Sequence, residues 1–281
     1  MLDFWQAVAV SPLARNALIA GLLASVACGV VGAYVVTRRI TYIAAGVAHC
    51  VLAGLGAAQY LNVVHGWRWL QPVHGALIAA ILAAGIIGWV ALRAREREDT
   101  AIGAVWSVGM ALGILFIYRT PGYNQDMMSY LFGNILLVTT RDLWTTLLLD
   151  VIIVGLAAAF HPQLQAVCFD EEFARLRNLP VDAYYMVLLM LTAVTVVVLS
   201  MVVGIVLVIA LLTLPAAIAG RFARSLAGMM AGACILCAAF TSLGLTLSYS
   251  PDLPAGPVII LVCGAAYLLV NAAGYWRSRR R

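Results

Sequence analysis

The stretch TRRITYIAAGVAHCVLAGLGAAQYLNVVHGWRWL (37–70) decides the fold. It opens on Arg38 and Arg39, runs through 41–61 without a charged residue, and closes on a loop carrying His65, Trp67, Arg68 and Trp69. About twenty apolar residues are what a helix needs to cross the hydrocarbon layer. The segment therefore reads as a membrane span with arginines at one end and tryptophan interfacial anchors at the other. Ala44, Ala45, Gly46, Ala48, Ala53, Gly54, Gly56, Ala57 and Ala58 crowd it with small residues, which lets neighbouring helices approach at backbone distance. Such a helix belongs inside a bundle.

The same alternation repeats on both sides of it. Apolar runs lie near 14–36, 41–61, 73–92, 100–118, 142–160, 183–200, 202–219, 225–246 and 257–275, which predicts nine crossings. With 64% hydrophobic residues, 10% charged residues and a mean hydropathy of +1.00, the 281-residue chain cannot hide its apolar surface in a water-soluble core. The lipid bilayer is its solvent, and residues 1–281 form one all-α, polytopic membrane helix bundle.

Charge orients the bundle. All seventeen basic residues are arginine, and thirteen fall in five segments: Arg38–Arg39, Arg93/Arg95/Arg97, Arg175/Arg177, Arg221/Arg224 and Arg277 with Arg279–Arg281. The inside-positive rule puts these five segments in the cytoplasm. An odd number of crossings with the arginine tail inside then predicts an outside N-terminus and a cytoplasmic C-terminus, in a plasma membrane of bacterial inner-membrane type. The net charge of +5 arises from these topology determinants near anionic lipid, so nucleic acid is not an expected partner.

Two segments resist simple assignment. The run 183–219 is about 55 Å long as one helix, far more than a bilayer needs, and Gly204 predicts a break within it. MMSYLFGNILLV (127–138) is too short to cross and reads as a short re-entrant or outer helix, which is tolerated only where protein buries its backbone. The cysteines sit in apolar runs or a cytoplasmic segment and predict free thiols. The start MLDFWQAVAVSPLARN has no basic–apolar–small pattern of a removable signal.

Few residues can carry chemistry. His49 lies within a span, where an ionisable side chain needs a partner or a task; a transport role and a neutral ring bonded to a backbone carbonyl both remain open. Asp150, in TTLLLDVIIVG, is a lone carboxyl within a span, read either as a path residue or as an interior packing anchor. His65, His74 and Asp126 fall in outer loops and offer imidazole and carboxylate to a metal-attracting vestibule, or bind nothing. Cys234 and Cys237, one turn apart, offer thiols to a soft metal or simply pack.

The segment HPQLQAVCFDEEFARLRNLPVD (161–182) is the one sizeable soluble insert. Asp170 predicts an N-cap, Glu171 and Glu172 suit the helix start, Arg175 and Arg177 suit its end, and Pro180 stops it. Phe173, Leu176 and Leu179 recur every three residues and predict a short amphipathic helix with a face to bury, either against its own span ends or against a docking partner. The chain contains no lysine, hence no phosphate-binding-loop lysine, and is not expected to be a nucleotide hydrolase of that type.

Taken together, RRITYIAAGVAHCVLAGLGAA (38–58), DMMSYLFGNILLVTTRDL (126–143), FDEEFARLRNLPV (169–181), LSMVVGIVLVIALLTLPAAIA (199–219) and SPDLPAGPVIIL (250–261) resemble the membrane permease of metal-ion ABC importers. The resemblance implies a non-enzymatic transport subunit for zinc, manganese or iron, without a permanently bound cofactor; the competing readings are a permease for a metal chelate of siderophore or cobalamin type and an ion-coupled secondary transporter. It further implies three partners: a cytoplasmic ABC ATPase that holds the ATP, an extracytoplasmic metal-binding protein, and a second permease protomer. By the same resemblance, Asp170, Glu171, Glu172, Phe173, Leu176 and Arg177 would form the coupling helix seated on the ATPase. Family members often carry an acidic residue four positions before the histidine of the second span; here that position is Ala45. His49 would then hold a metal more weakly, with help from the symmetry-related His49, other helices or water.

Overall fold

The computed structural model describes residues 2–93, 98–121, 133, 135 and 138–279. These residues form twelve described helices: α1 (Leu2–Val10), α2 (Pro12–Thr37), α3 (Thr41–His65), α4 (Pro72–Arg93), α5 (Glu98–Arg119), α6 (Thr140–Ala159), α7 (His161–Phe169), α8 (Glu171–Leu176), α9 (Val181–Val203), α10 (Ile205–Ala219), α11 (Leu226–Tyr249) and α12 (Ala255–Arg279). Among the described residues, eight helices are long and apolar enough to cross a membrane. The ninth predicted crossing corresponds to α10, whose fifteen residues rise about 22 Å, short of a hydrocarbon layer of about 30 Å. The short helix expected at 127–138 lies almost wholly outside the described residues.

Local chemistry sets the boundaries. Thr139 and Asp142 close a capping box at the start of α6, satisfying two backbone donors that the helix itself leaves unpaired. Gly66 ends α3 in the left-handed conformation at φ 71°, where a side chain would be strained. The predicted break in 183–219 falls at Gly204, whose φ of 87° turns the chain between α9 and α10. One helix went unanticipated: α1 precedes the first apolar run and packs on α2 and α11.

The helices sort into two groups. The helices α3, α4 and α5 pack chiefly on one another, and α4 joins this lobe to α9, whereas α3 scarcely touches α2 despite following it by a three-residue turn. The remaining body is built on α2, which is flanked by α6, α10 and α11, with α12 outermost. Inside the lobe the contact is backbone to backbone. A Cβ on Gly54 of α3 or Gly75 of α4 would strike the other residue's main chain, and one on Gly109 or Gly113 of α5 would strike Cys50 or Leu52 of α3. Small residues were expected to permit this approach, and here they leave the lobe no slack between its helices.

Contacts also sort the helix ends. At one end Arg38 pairs with Glu171, Thr37 meets Met229, and Arg221 donates to Val270 O at 3.3 Å. At the other end Asn16 donates to Val138 O at 3.2 Å, Phe4 meets the Tyr249 ring at 5.6 Å, and Gly133 lies against Val203 and Gly204. The chain positions of Arg38, Arg93, Arg175 and Arg221 therefore gather at the same end of the bundle.

Candidate substrate path and coupling surface

The candidate path begins on α3. Its half-buried positions include Ala45, His49, Ala53 and Ala57, a spacing of four that lays them along one helix face. His49 is thus the single imidazole on a face otherwise made of alanines. Its ring lies flat against Trp106 of α5, centroids 4.4 Å apart and planes within 8°, while the Trp106 indole donates toward Met110 Sδ at 3.1 Å. Stacking occupies one face of the imidazole and leaves its in-plane nitrogens untouched. Among the described residues neither nitrogen has a hydrogen-bond partner. The structural alternative raised by the sequence, a ring bonded to a backbone carbonyl, is therefore not what is seen. Ala45 stands one turn away on the same face, so a carboxylate there would lie beside the ring. Cys50 points elsewhere and donates to Val105 O at 3.1 Å.

The other sequence candidates do not converge on it. His65 ends α3 in an exposed position with its ring 5.8 Å from Tyr60. His74 Nδ1 sits 3.1 Å from Trp69 O, and because a carbonyl only accepts, that nitrogen carries the proton. Asp126 lies outside the described residues. Asp150 is 4% exposed, and neither carboxyl oxygen has a hydrogen-bond partner among the described residues. It faces the packed body: Asn16 reaches Val138 and Tyr34 reaches Ala157, a constant parallel register of α2 on α6 that sets Asp150 level with Cys28. Cys237 donates to Leu211 O at 3.2 Å and Cys234 toward Val26 O at 3.6 Å, which accounts for both thiols as packing. Among the described residues, no three His, Cys, Asp or Glu side chains gather as a metal-holding group. Sequence reasoning missed His161, whose Nδ1 lies 2.7 Å from Tyr34 Oη and ties α2 to the α6–α7 corner. It missed Trp106 as well.

At the arginine-rich end, α7 and α8 form the insert. Asp170 caps α8 by accepting from Phe173 N at 2.9 Å, as its sequence position predicts. Of the face with apolar side chains, Phe173 is 51% and Leu176 83% exposed, so the chain's own span ends do not cover these two. The insert is held instead by Ala174, which packs with Val167 and Val181, with Leu179 alongside. A small residue at the contact lets α8 lie close and turns its larger side chains outward. Arg177 covers the Phe173 ring at 5.2 Å. Glu171, expected on the partner-facing surface, is turned inward to Arg38, and Arg175 donates to Asp182 at 2.6 Å. Cys168 of α7 is buried, which pushes its thiol up to about 12 although Arg38 nearby pulls the other way.

The ABC 3 transport family profile matches residues 11–274. The chain belongs to the ABC 3 transport family. It is a multi-pass membrane permease subunit and not itself an ATPase. A Chlamydia muridarum protein named "Probable metal transport system membrane protein" is 42% identical over 92% of this chain and 88% of its own length. A manganese transport system membrane protein of Halalkalibacterium halodurans is 31% identical over 95% of this chain and 91% of its own. Among solved structures, PsaBC from Streptococcus pneumoniae, in complex with a Fab, superposes with a TM-score of 0.84 at 31% identity, covering 96% of this chain and 94% of that one.

Proposed function

We propose that this chain is the membrane-spanning subunit of an ATP-driven importer for a divalent transition-metal ion, and that the ion passes the open face of α3 at His49. The observation that carries the path is the His49 ring, held by the Trp106 stack at membrane depth, with neither nitrogen hydrogen-bonded among the described residues. The names of the relatives support the cargo class, and manganese leads zinc and iron because the Halalkalibacterium relative is named for it. The ion arrives from an extracytoplasmic binding protein. A second copy of this chain supplies the facing His49, so that two imidazoles and water replace the carboxylate absent at Ala45. In this topology nine crossings include the short α10, the N-terminus lies outside, and the arginine-rich end lies in the cytoplasm.

The ATPase docks on α8 through the exposed Phe173 and Leu176, with Asp170, Glu172 and Arg177 around them. Two large apolar side chains held outward on a helix anchored by a small one are suited to fill a groove in a partner. The test is co-purification and uptake in liposomes. Phe173→Asp with Leu176→Asp should release the ATPase and abolish uptake while the permease stays in the membrane. Retained ATPase with unchanged uptake would remove α8 as the docking site. A permease for a metal chelate needs no protein ligand, and equal transport of free ion by native and His49→Ala complexes would favour it.

A further inference from the structure

Among the described residues, the lobe that carries His49 comes beside the coupling segment at the turn 38–40 and the end of α4. The helices α3 to α5 are locked together backbone to backbone, and α3 hardly touches α2. On the arginine-rich side, the turn 38–40 is the lobe's covalent joint to α2. Arg39 there takes a left-handed conformation at φ 63°, uncommon for a residue with a side chain, while Arg38 closes α2. Arg38 is also where α8 reaches the joint: its guanidinium pairs with Glu171 and lies 5.5 Å over the buried Tyr185 ring of α9. A second pair, Arg175 with Asp182, ties α8 to the start of α9. Between these contacts lies a cleft of about 470 Å³ lined by the joint, by Ala91 and Leu92 at the end of α4, and by α8 and α9. The lobe therefore has a hinge, a handle on that hinge, and open space beside it.

We propose that the Arg38–Glu171 pair transmits movement of α8 to the α3–α5 lobe, and so to His49. Thr41 begins α3 and His49 follows eight residues on, about 12 Å along one unbroken helix. A displacement of the joint tilts that helix as a unit, because its neighbours α4 and α5 cannot slip against it. Arg38 is on this reading a positioning residue, which touches neither the ion nor the partner surface. Tyr185 beneath the guanidinium and the half-buried setting of the pair give the link a fixed geometry that a solvent-exposed ion pair lacks.

The inference rests on α8 as the ATPase docking site, and the experiment separates the two. The complete complex, reconstituted in liposomes with its ATPase and manganese-loaded binding protein, is measured for ATPase retention, ATP hydrolysis and manganese taken up per ATP. In Arg38→Ala the ATPase stays bound and hydrolyses ATP, while uptake per ATP falls by about tenfold, since a severed link wastes the turnover. Arg38→Glu behaves likewise, and combining it with Glu171→Arg restores uptake per ATP to within about threefold, as expected for an interaction specific to the pair. Unchanged uptake per ATP in Arg38→Ala overturns the link. So does loss of the ATPase in that variant, which would make Arg38 part of docking, and so does an exchanged pair that binds ATPase without recovering uptake. Failure of Phe173→Asp with Leu176→Asp to release the ATPase overturns the docking reading instead.

Discussion

His49 and Asp150 present the same signal in sequence, one ionisable side chain in an otherwise apolar span, and the fold treats them oppositely. His49 stands on the open alanine face of α3, its ring braced by Trp106 and its nitrogens without a partner among the described residues. Asp150 is 4% exposed, level with Cys28 of α2, with both oxygens unpartnered. An ionisable group at membrane depth is thus a question whose answer depends on which helix face carries it. A free group on an open face can meet an ion that passes, whereas a free group on a closed face meets only the packing around it.

The largest effect expected from this contrast is at His49. His49→Ala should lower manganese uptake by about tenfold or more, the scale on which metal sites lose affinity when even a supporting group is removed. Assembly with the ATPase should persist, because α8 is remote from the change. The check is uptake by the reconstituted complex for manganese, zinc and ferrous iron. Native rates for all three would make the ring structural, erase the difference between the two residues, and favour a chelate as cargo.

The sequence made the spans legible because twenty apolar residues admit few alternatives in lipid, and Gly204 marked the α9–α10 break because only glycine takes its dihedral angles without strain. Helix α1 was not read, since nine residues are too few to cross and carry no turn or cap signal of their own. At the site, the ring nitrogens' freedom could not be read because it depends on Trp106, which is remote in sequence. A tryptophan well inside a span, away from the interface where such residues usually anchor, was the available clue. The pairing of Arg38 with Glu171 joins residues 133 apart, and the spacing of Phe173, Leu176 and Leu179 concealed that Ala174 makes the contact. Periodicity reports that a face exists and says nothing about what lies against it.

A smaller effect should follow from restoring the carboxylate. Ala45→Asp places an anionic ligand one turn from His49 on the same open face. Manganese should then bind several-fold more tightly to the detergent-solubilised complex, while turnover in liposomes slows because release becomes harder. The measurement is a pair: metal affinity by titration, and initial uptake rate at saturating ion. Tighter binding in Ala45→Asp that disappears on adding His49→Ala assigns the gain to a shared site. Unaltered affinity would place the ion elsewhere and detach the alanine face from the path.

The smallest effect is expected at Asp150. A buried carboxyl without partners contributes no hydrogen bond that its replacement could lose, and burying such a group carries a cost that an apolar side chain of similar volume avoids. Asp150→Leu should therefore leave uptake within about twofold of native and keep or raise the thermal midpoint of the purified complex, as removing an unpaired polar group from an interior commonly does. Asp150→Asn isolates the charge from the volume and should transport normally at both acidic and neutral pH. A large fall in uptake in the Asn variant, with assembly intact, would mean that the carboxyl exchanges a proton or meets the ion during the cycle. The α2–α6 contact would then have to open to admit it, and the face that looks closed at rest would be a second part of the path.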